Sequence, residues 1–242
     1  MMEGAAGIQG IWVYLAASPL LHLTLTLAAF QGANWLYRKA KMNPLLNPVM
    51  ISVIVIVSIL LATGTGYDSY FQGAQFVHFL LGPATVALAI PLYRQFEQVR
   101  RSAAAMAISL IAGSLTASLS AILISRLMGA DRMSVLALAP KSVTAPVAMG
   151  IEAQLGGLPS LTAVLVMLTG ITGAMLGPFI LKLAGITDRK AQGLAMGTAS
   201  HGIGTARALQ INEVAGAFSG LAMGLNALAT AILLPFLWRY LG

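Results

Sequence analysis

Long apolar runs recur along this chain, and its charged residues are confined to the ends of those runs and the short stretches between them. Residues 45–62, 102–128, 161–183 and 214–240 each approach or exceed the span of about 20 mostly apolar residues that a helix needs to cross a bilayer. A backbone in hydrocarbon must satisfy its own N–H and C=O groups, so such runs can only form helices or closed barrels. No stretch shows the strict alternation of a barrel strand. The expected fold class is therefore all-α: a polytopic membrane helical bundle of roughly seven or eight segments, some of them broken. With 58% hydrophobic and 9% charged residues in 242, no length is left for a soluble domain, and residues 1–242 read as one integral membrane domain.

Lys and Arg number 14 against 7 Asp and Glu, a formal charge of +7. In a soluble chain that balance would suggest nucleic acid, but the basic residues show no aromatic interleaving and sit between apolar runs, where they set topology and meet anionic headgroups. The partner implied is the lipid bilayer. The first run, from Ile8 to about Tyr37, is longer than a signal-peptide core and lacks a basic stretch before it, so it reads as a retained helix despite the cleavage-like Ala16-Ala17-Ser18. Arg38, Lys39 and Lys41 after the first run, and Arg94, Arg100 and Arg101 after a third run over 71–93, place these turns in the cytoplasm. The absence of cysteine excludes disulfides, thiolate metal sites and thiol catalysis.

Small transporters are commonly built from repeats, and a short internal echo is visible. "LLGPATVALAIPLYR" at 80–94 lies over "MLGPFILKLAGITDR" at 175–189, matching Gly82-Pro83 with Gly177-Pro178 and Arg94 with Arg189. The repeat units would be 44–128 and 131–209. With three spans each, the second unit runs inverted and puts Lys182, Arg189 and Lys190 outside. The charge rule prefers those residues inside, which requires residues 131–152 to be re-entrant and the two units to run parallel. The regular apolar run at 45–62 favours inversion.

Two polar stretches carry the chemistry. In "APKSVTAPVAMG", Pro140 and Pro146 bracket Lys141, Ser142 and Thr144, so backbone groups must leave the helix ladder. Such a break persists at membrane depth only where protein buries it or a watery cavity meets it. A cation beside the positive end of a half-helix suits a carboxylate. In "GTASHGIGTARALQ", at 197–210, the glycines do not spell a dinucleotide or Walker motif. Ser200 and His201, as helix neighbours, point about 100° apart and cannot form a nucleophile pair, which argues against an enzyme. On a continuous helix, Gly197, Ser200, His201, Gly204 and Arg207 share an arc of roughly 120°, with Thr198 and Thr205 at its edge. Arg207 can grip a carboxylate with two bonds, or can pair with Glu213 at the membrane edge. The GxxxG spacings at 173/177, 193/197 and 216/220/224 favour close helix packing. Glu152, Gln154 and Asn226 are polar enough to contribute to a pathway, but their spacing assigns them nothing. No feature calls for a cofactor or metal.

"PKSVTAPVAMGI" at 140–151, "GLAMGTASHGIGTARA" at 193–208 and "GAFSGLAM" at 216–223 resemble the LrgB/CidB family of bacterial membrane proteins, with further likeness at "PLLNP" and "YDSYFQG". The resemblance implies a multi-pass inner-membrane protein, antiholin-like or a modulator of murein hydrolase activity and autolysis, usually working with a small LrgA/CidA-type partner; a homo-oligomer is a separate expectation. A related plastid protein is a glycolate/glycerate translocator, and bacterial relatives are linked to pyruvate movement. The expectation is thus a secondary transporter of small monocarboxylates using Lys141, Ser142, Thr144, Ser200, His201, Thr205 and Arg207, with a non-transporting regulator as the alternative. The family commonly has an acid before "GAFS", where this chain has Ala215, so, if that acid pairs with the arginine or carries a proton, either Glu213 substitutes for it or the coupling differs.

Overall fold

The structure, a computed structural model, describes residues 18–43, 46–80, 83, 86–87 and 89–241. Residues 8–17 of the expected first span, with Ala16-Ala17, and Gly82 of the internal echo lie outside the described residues. Every regular element among the described residues is helical, and the chain forms two compact units, residues 1–87 and 88–242.

The first unit holds α1 (Pro19–Lys39), α2 (Pro48–Thr63) and α3 (Tyr67–Phe79). Asn47 starts α2 by accepting the N–H groups of Val49 and Met50 at 2.9 and 3.3 Å, and Gly64, at φ 64°, ends it in the left-handed conformation that glycine adopts freely. α3 packs on α1 at Gly73, where a side chain would collide with Pro19 and His22. Thr26 and Tyr70 share a hydroxyl bond of 2.9 Å across this contact. The expected third span over 71–93 is not continuous: its helix begins at Tyr67 and ends at Phe79.

The second unit contains α4 (Ala89–Arg94), α5 (Phe96–Arg101), α6 (Ala103–Leu127), α7 (Arg132–Leu138), α8 (Ala145–Gln154), α9 (Pro159–Leu183), α10 (Arg189–Ile211) and α11 (Glu213–Leu241). α6, α9 and α11 are long and apolar enough to cross a membrane. α6 runs parallel to α11, with Ser114 bonded to Thr230 at 2.9 Å and Ile122 packed with Leu234 and Trp238. α9 runs antiparallel to α10's first half: Gly173 lies against Ser200 and Gly177 against Met196.

Between these spans lie two helical hairpins. α7 and α8 are the arms of the first, because Val135, Leu136 and Ala139 share one core cluster with Ile151, Leu234 and Trp238. Asp131 caps its first arm, and the Ser134 hydroxyl, at 2.5 Å, holds the Asp131 carboxyl below its usual range. That cap is complete above the ordinary carboxylate pKa and is lost as pH falls through the lowered value. The second hairpin lies within α10. Ser200 (φ −133°, ψ 16°) and His201 (φ 41°, ψ −134°) leave helical geometry, and the chain turns back on itself. A straight helix would separate Met196 from Gly204 by about 12 Å, yet a Cβ on Gly204 would lie 2.6 Å from the Met196 carbonyl oxygen. Met196 and Ala208 also share a core with Leu181 and Ala215.

The first hairpin opens toward the carboxyl end of α11 and the second toward its amino end. Their tips meet near the middle of α11, where the Asn226 amide reaches the carbonyl oxygens of Ser142 (3.5 Å) and Thr198 (3.0 Å). This geometry changes the expected sidedness. Arg94 pairs with Glu213 at 3.3 Å, Lys182 and Arg189 line a small cavity with Ala215, and Lys190 lies 6.0 Å from the Phe218 ring. Arg101, immediately before α6, stands at the same end. Residues 131–152 are re-entrant, as the charge rule required, because the proline-bracketed tip turns the chain back before it crosses. Single cysteines replacing Arg101 and Lys190 should therefore react with an impermeant thiol reagent from the same side of sealed vesicles. Labelling from opposite sides would refute this arrangement.

Candidate functional site

The first tip follows from its prolines. Lys141 and Val143 donate to the carbonyls of Leu138 and Pro140 in tight turns at 3.1 Å each, and the regular ladder resumes at Ala148, which bonds Thr144 at 2.9 Å. Ser142 is buried, while Lys141 is half-buried and extends its Nζ to the Ala117 carbonyl (3.3 Å) and the Ser142 hydroxyl (3.4 Å). The ion pairs among the described residues are Arg94–Glu213 and Arg101–Glu97, so none gives Lys141 a carboxylate.

The second tip is held by His201. A positive φ in a residue with a side chain costs about 1–3 kcal/mol and persists only where surroundings enforce it. Here the His201 Nε2 bonds the Val166 carbonyl at 2.9 Å, its ring occupies the space left by Gly170, and its own carbonyl accepts the Thr205 hydroxyl at 2.9 Å. Thr205 in turn shares a hydroxyl bond of 2.9 Å with Ser219. His201→Ala is expected to lower stability by about 2 kcal/mol through the lost bond and the retained strain. His201→Gly should recover part of that loss, since glycine takes φ 41° freely. Thermal unfolding in detergent compares them, and a glycine variant no more stable than alanine would dismiss the strain.

A cavity of about 950 Å³ lies between α6, the first tip, α9 and the first arm of α10. Lys141, Ser142 and Ser200 line it together, with Thr116, Thr169, Thr172 and Thr198 among largely apolar neighbours. Among the described residues Lys141 is its one cationic lining residue. The arrangement suits a small anion with an apolar body: the cation and hydroxyls can hold a carboxylate, and the alanines and leucines can cover the rest.

The remaining expected residues stand elsewhere. Thr144 precedes α8 with no side-chain capping bond. Thr205 and His201 brace the second tip. Arg207 donates to Gln210 at 3.2 Å and lies outside the cavity lining, because the break at Ser200 and His201 divides the single polar face expected of a continuous helix. Gly197 and Gly204 are consumed by close contacts with Ser219 and Met196. Glu213 is paired with Arg94. Ala215 is fully buried within the apolar cluster of Leu181, Met196 and Ala208.

Comparison with known proteins matches residues 26–240 to the LrgB-like family. The chain belongs to the LrgB-like family. Relatives of this LrgB-like protein include YxaC of Bacillus subtilis (strain 168), 36% identical over 93% of this chain and 98% of that protein. They also include the holin-like protein CidB of Staphylococcus epidermidis, 32% identical over 93% of this chain and 96% of that protein. A further one is the holin-like protein CidB of Staphylococcus aureus, 32% identical over 90% of this chain and 95% of that protein. No solved structure matches. This LrgB-like chain is thus a helical membrane protein whose broken helices lie within the matched region.

Proposed function

We propose that the chain is a multi-pass inner-membrane secondary transporter of small monocarboxylates such as pyruvate, glycolate or glycerate. One observation carries the proposal: Lys141 stands on an unwound tip at a large cavity, with no carboxylate among its described partners. A cation placed at membrane depth is costly unless it has work to do. Its natural counter-ion is then a passing anion. Ser142, Thr198 and Ser200 offer hydroxyls around that anion, while His201 and Thr205 hold the second tip in shape. Two broken hairpins opening to opposite ends, with their tips near the cavity, are the arrangement that alternating-access transporters use around a binding site.

The holin-like name of the CidB relatives supports a tie to murein hydrolase control, and we extend the reading to autolysis and to an LrgA/CidA-type membrane partner. The same name also supports the second reading, a holin-like regulator that moves no solute itself. Uptake of labelled pyruvate, glycolate and lactate into proteoliposomes containing the purified protein separates the two. Saturable uptake above empty vesicles is the expected result, and its absence for every acid would leave the regulator.

A further inference from the structure

The anion site leaves Asn226 without a role. This residue is 1% exposed near the middle of α11, and its described polar partners are the carbonyl oxygens of Thr198 and Ser142, at 3.0 and 3.5 Å from Nδ2. Both carbonyls belong to backbone released from regular helix. Ser142 lies in the first tip, and Thr198 lies in the last turn of an arm interrupted at Ser200 and His201. The first arms, 132–138 and 189–199, direct their carboxyl ends here, so their dipoles present negative ends at the same place. The Oδ1 of Asn226 is buried and has no hydrogen-bond partner among the described residues.

In this orientation the amide NH₂ occupies the place of a cation between two carbonyls. The oxygen and nitrogen of an amide are exchanged by a half-turn of its terminal torsion. That half-turn sets Oδ1 about where Nδ2 stands, 3.0 and 3.5 Å from the carbonyl oxygens of Thr198 and Ser142, spacings that neighbouring oxygens take when they share one cation. A hard cation satisfies such a set. The set carries no formal charge, which suits a monovalent ion, whereas Ca²⁺ and Mg²⁺ sites draw on carboxylates. Carbonyls of interrupted membrane helices are established ligands for Na⁺.

We propose that Asn226 and the carbonyl oxygens of Ser142 and Thr198 form a sodium site that ties the two hairpin tips together. The neighbouring Lys141 charge opposes a cation until an anion occupies the cavity, so sodium and anion bind cooperatively. That last clause rests on the monocarboxylate reading, whereas the ion site does not.

Purified full-length protein in a choline chloride buffer is titrated with radioactive sodium. Saturable binding is expected, displaced by unlabelled sodium chloride and unaffected by further choline chloride. Asn226→Leu should weaken it by about tenfold or more. Asn226→Asp, which keeps the side-chain size and adds a charge, should bind sodium more tightly. Absence of saturable binding in the wild type overturns the site, as does unchanged affinity in Asn226→Leu. Should the leucine variant fail to fold, unchanged affinity in Asn226→Asp overturns it equally. Pyruvate should raise sodium affinity. Sodium binding without pyruvate uptake would refute transport and leave the ion site standing, whereas uptake by a protein that binds no sodium would do the reverse.

Discussion

Lys141→Ala abolishes saturable carboxylate uptake in proteoliposomes, with kcat/KM expected to fall by about 100-fold or more, equivalent to about 2.7 kcal/mol. The effect is large because the substitution removes the one cation that lines the cavity and leaves its hydroxyls to hold an anion alone. Charge-assisted hydrogen bonds contribute about 1.5–3 kcal/mol each. Stability should move little or rise, because the variant relieves a desolvated charge that no carboxylate offsets among the described residues. Lys141→Met, which keeps the length of the side chain, should lose uptake just as fully while melting with the wild type. Arg207→Ala supplies the contrast. Its guanidinium bonds Gln210 outside the cavity lining, so saturable uptake should persist. A Lys141→Met protein that transports within a few-fold of wild type would remove the lysine from the site.

The second large effect concerns packing. α10 and α11 approach closely enough that a Cβ on Gly197 would lie 2.9 Å from the Ser219 Cα, and one on Gly193 would lie 3.0 Å from the Ala215 Cα. These neighbours are backbone, which cannot rotate away. Overpacking of this kind costs about 1–3 kcal/mol for small additions, and the gain of about 1 kcal/mol in helix propensity on replacing glycine by alanine offsets only part of it. Gly197→Ala should lower stability by about 2 kcal/mol, and Gly197→Val should fail to accumulate as a monodisperse protein. Gly224 has open space at its Cβ position, so Gly224→Ala should be neutral or stabilising by about 1 kcal/mol. Size-exclusion profiles on heating compare the three. Should Gly197→Val melt with Gly224→Ala, the close approach is absent in the membrane protein.

The same residues mark what can be read from the sequence. α6, α9 and α11 were visible because an unbroken apolar run has only one common solution in hydrocarbon, and the boundaries agree within a few residues. The break around Lys141 was visible because two prolines forbid the ladder there. The break at Ser200 and His201 was not, since no proline marks it and His201 adopts a conformation more usual for glycine. That miss led Arg207 onto the same face as Ser200. It also hid the opposition of the hairpins, which sets the common sidedness of Arg101 and Lys190. The GxxxG spacing marks Gly193 and Gly197 as packing residues, whereas at Gly224 the same spacing meets nothing among the described residues. Asn226 was noticed as polar, but only the folded chain reveals what it bridges, because its partners are carbonyls at 142 and 198.

The meeting of both tips on α11 constrains how the protein is made. Neither hairpin can enter lipid as an independent stage, because its turn carries polar backbone that hydrocarbon cannot solvate. α11 leaves the ribosome after both hairpins, and Asn226 after about half of α11. During synthesis the two turns can lean first on α6 and α9, through the Ala117 and Val166 carbonyls, and the bridge between them is completed only when Asn226 arrives. The order of synthesis thus makes α11 the element that closes the bundle, a step that the hydropathy profile alone does not show.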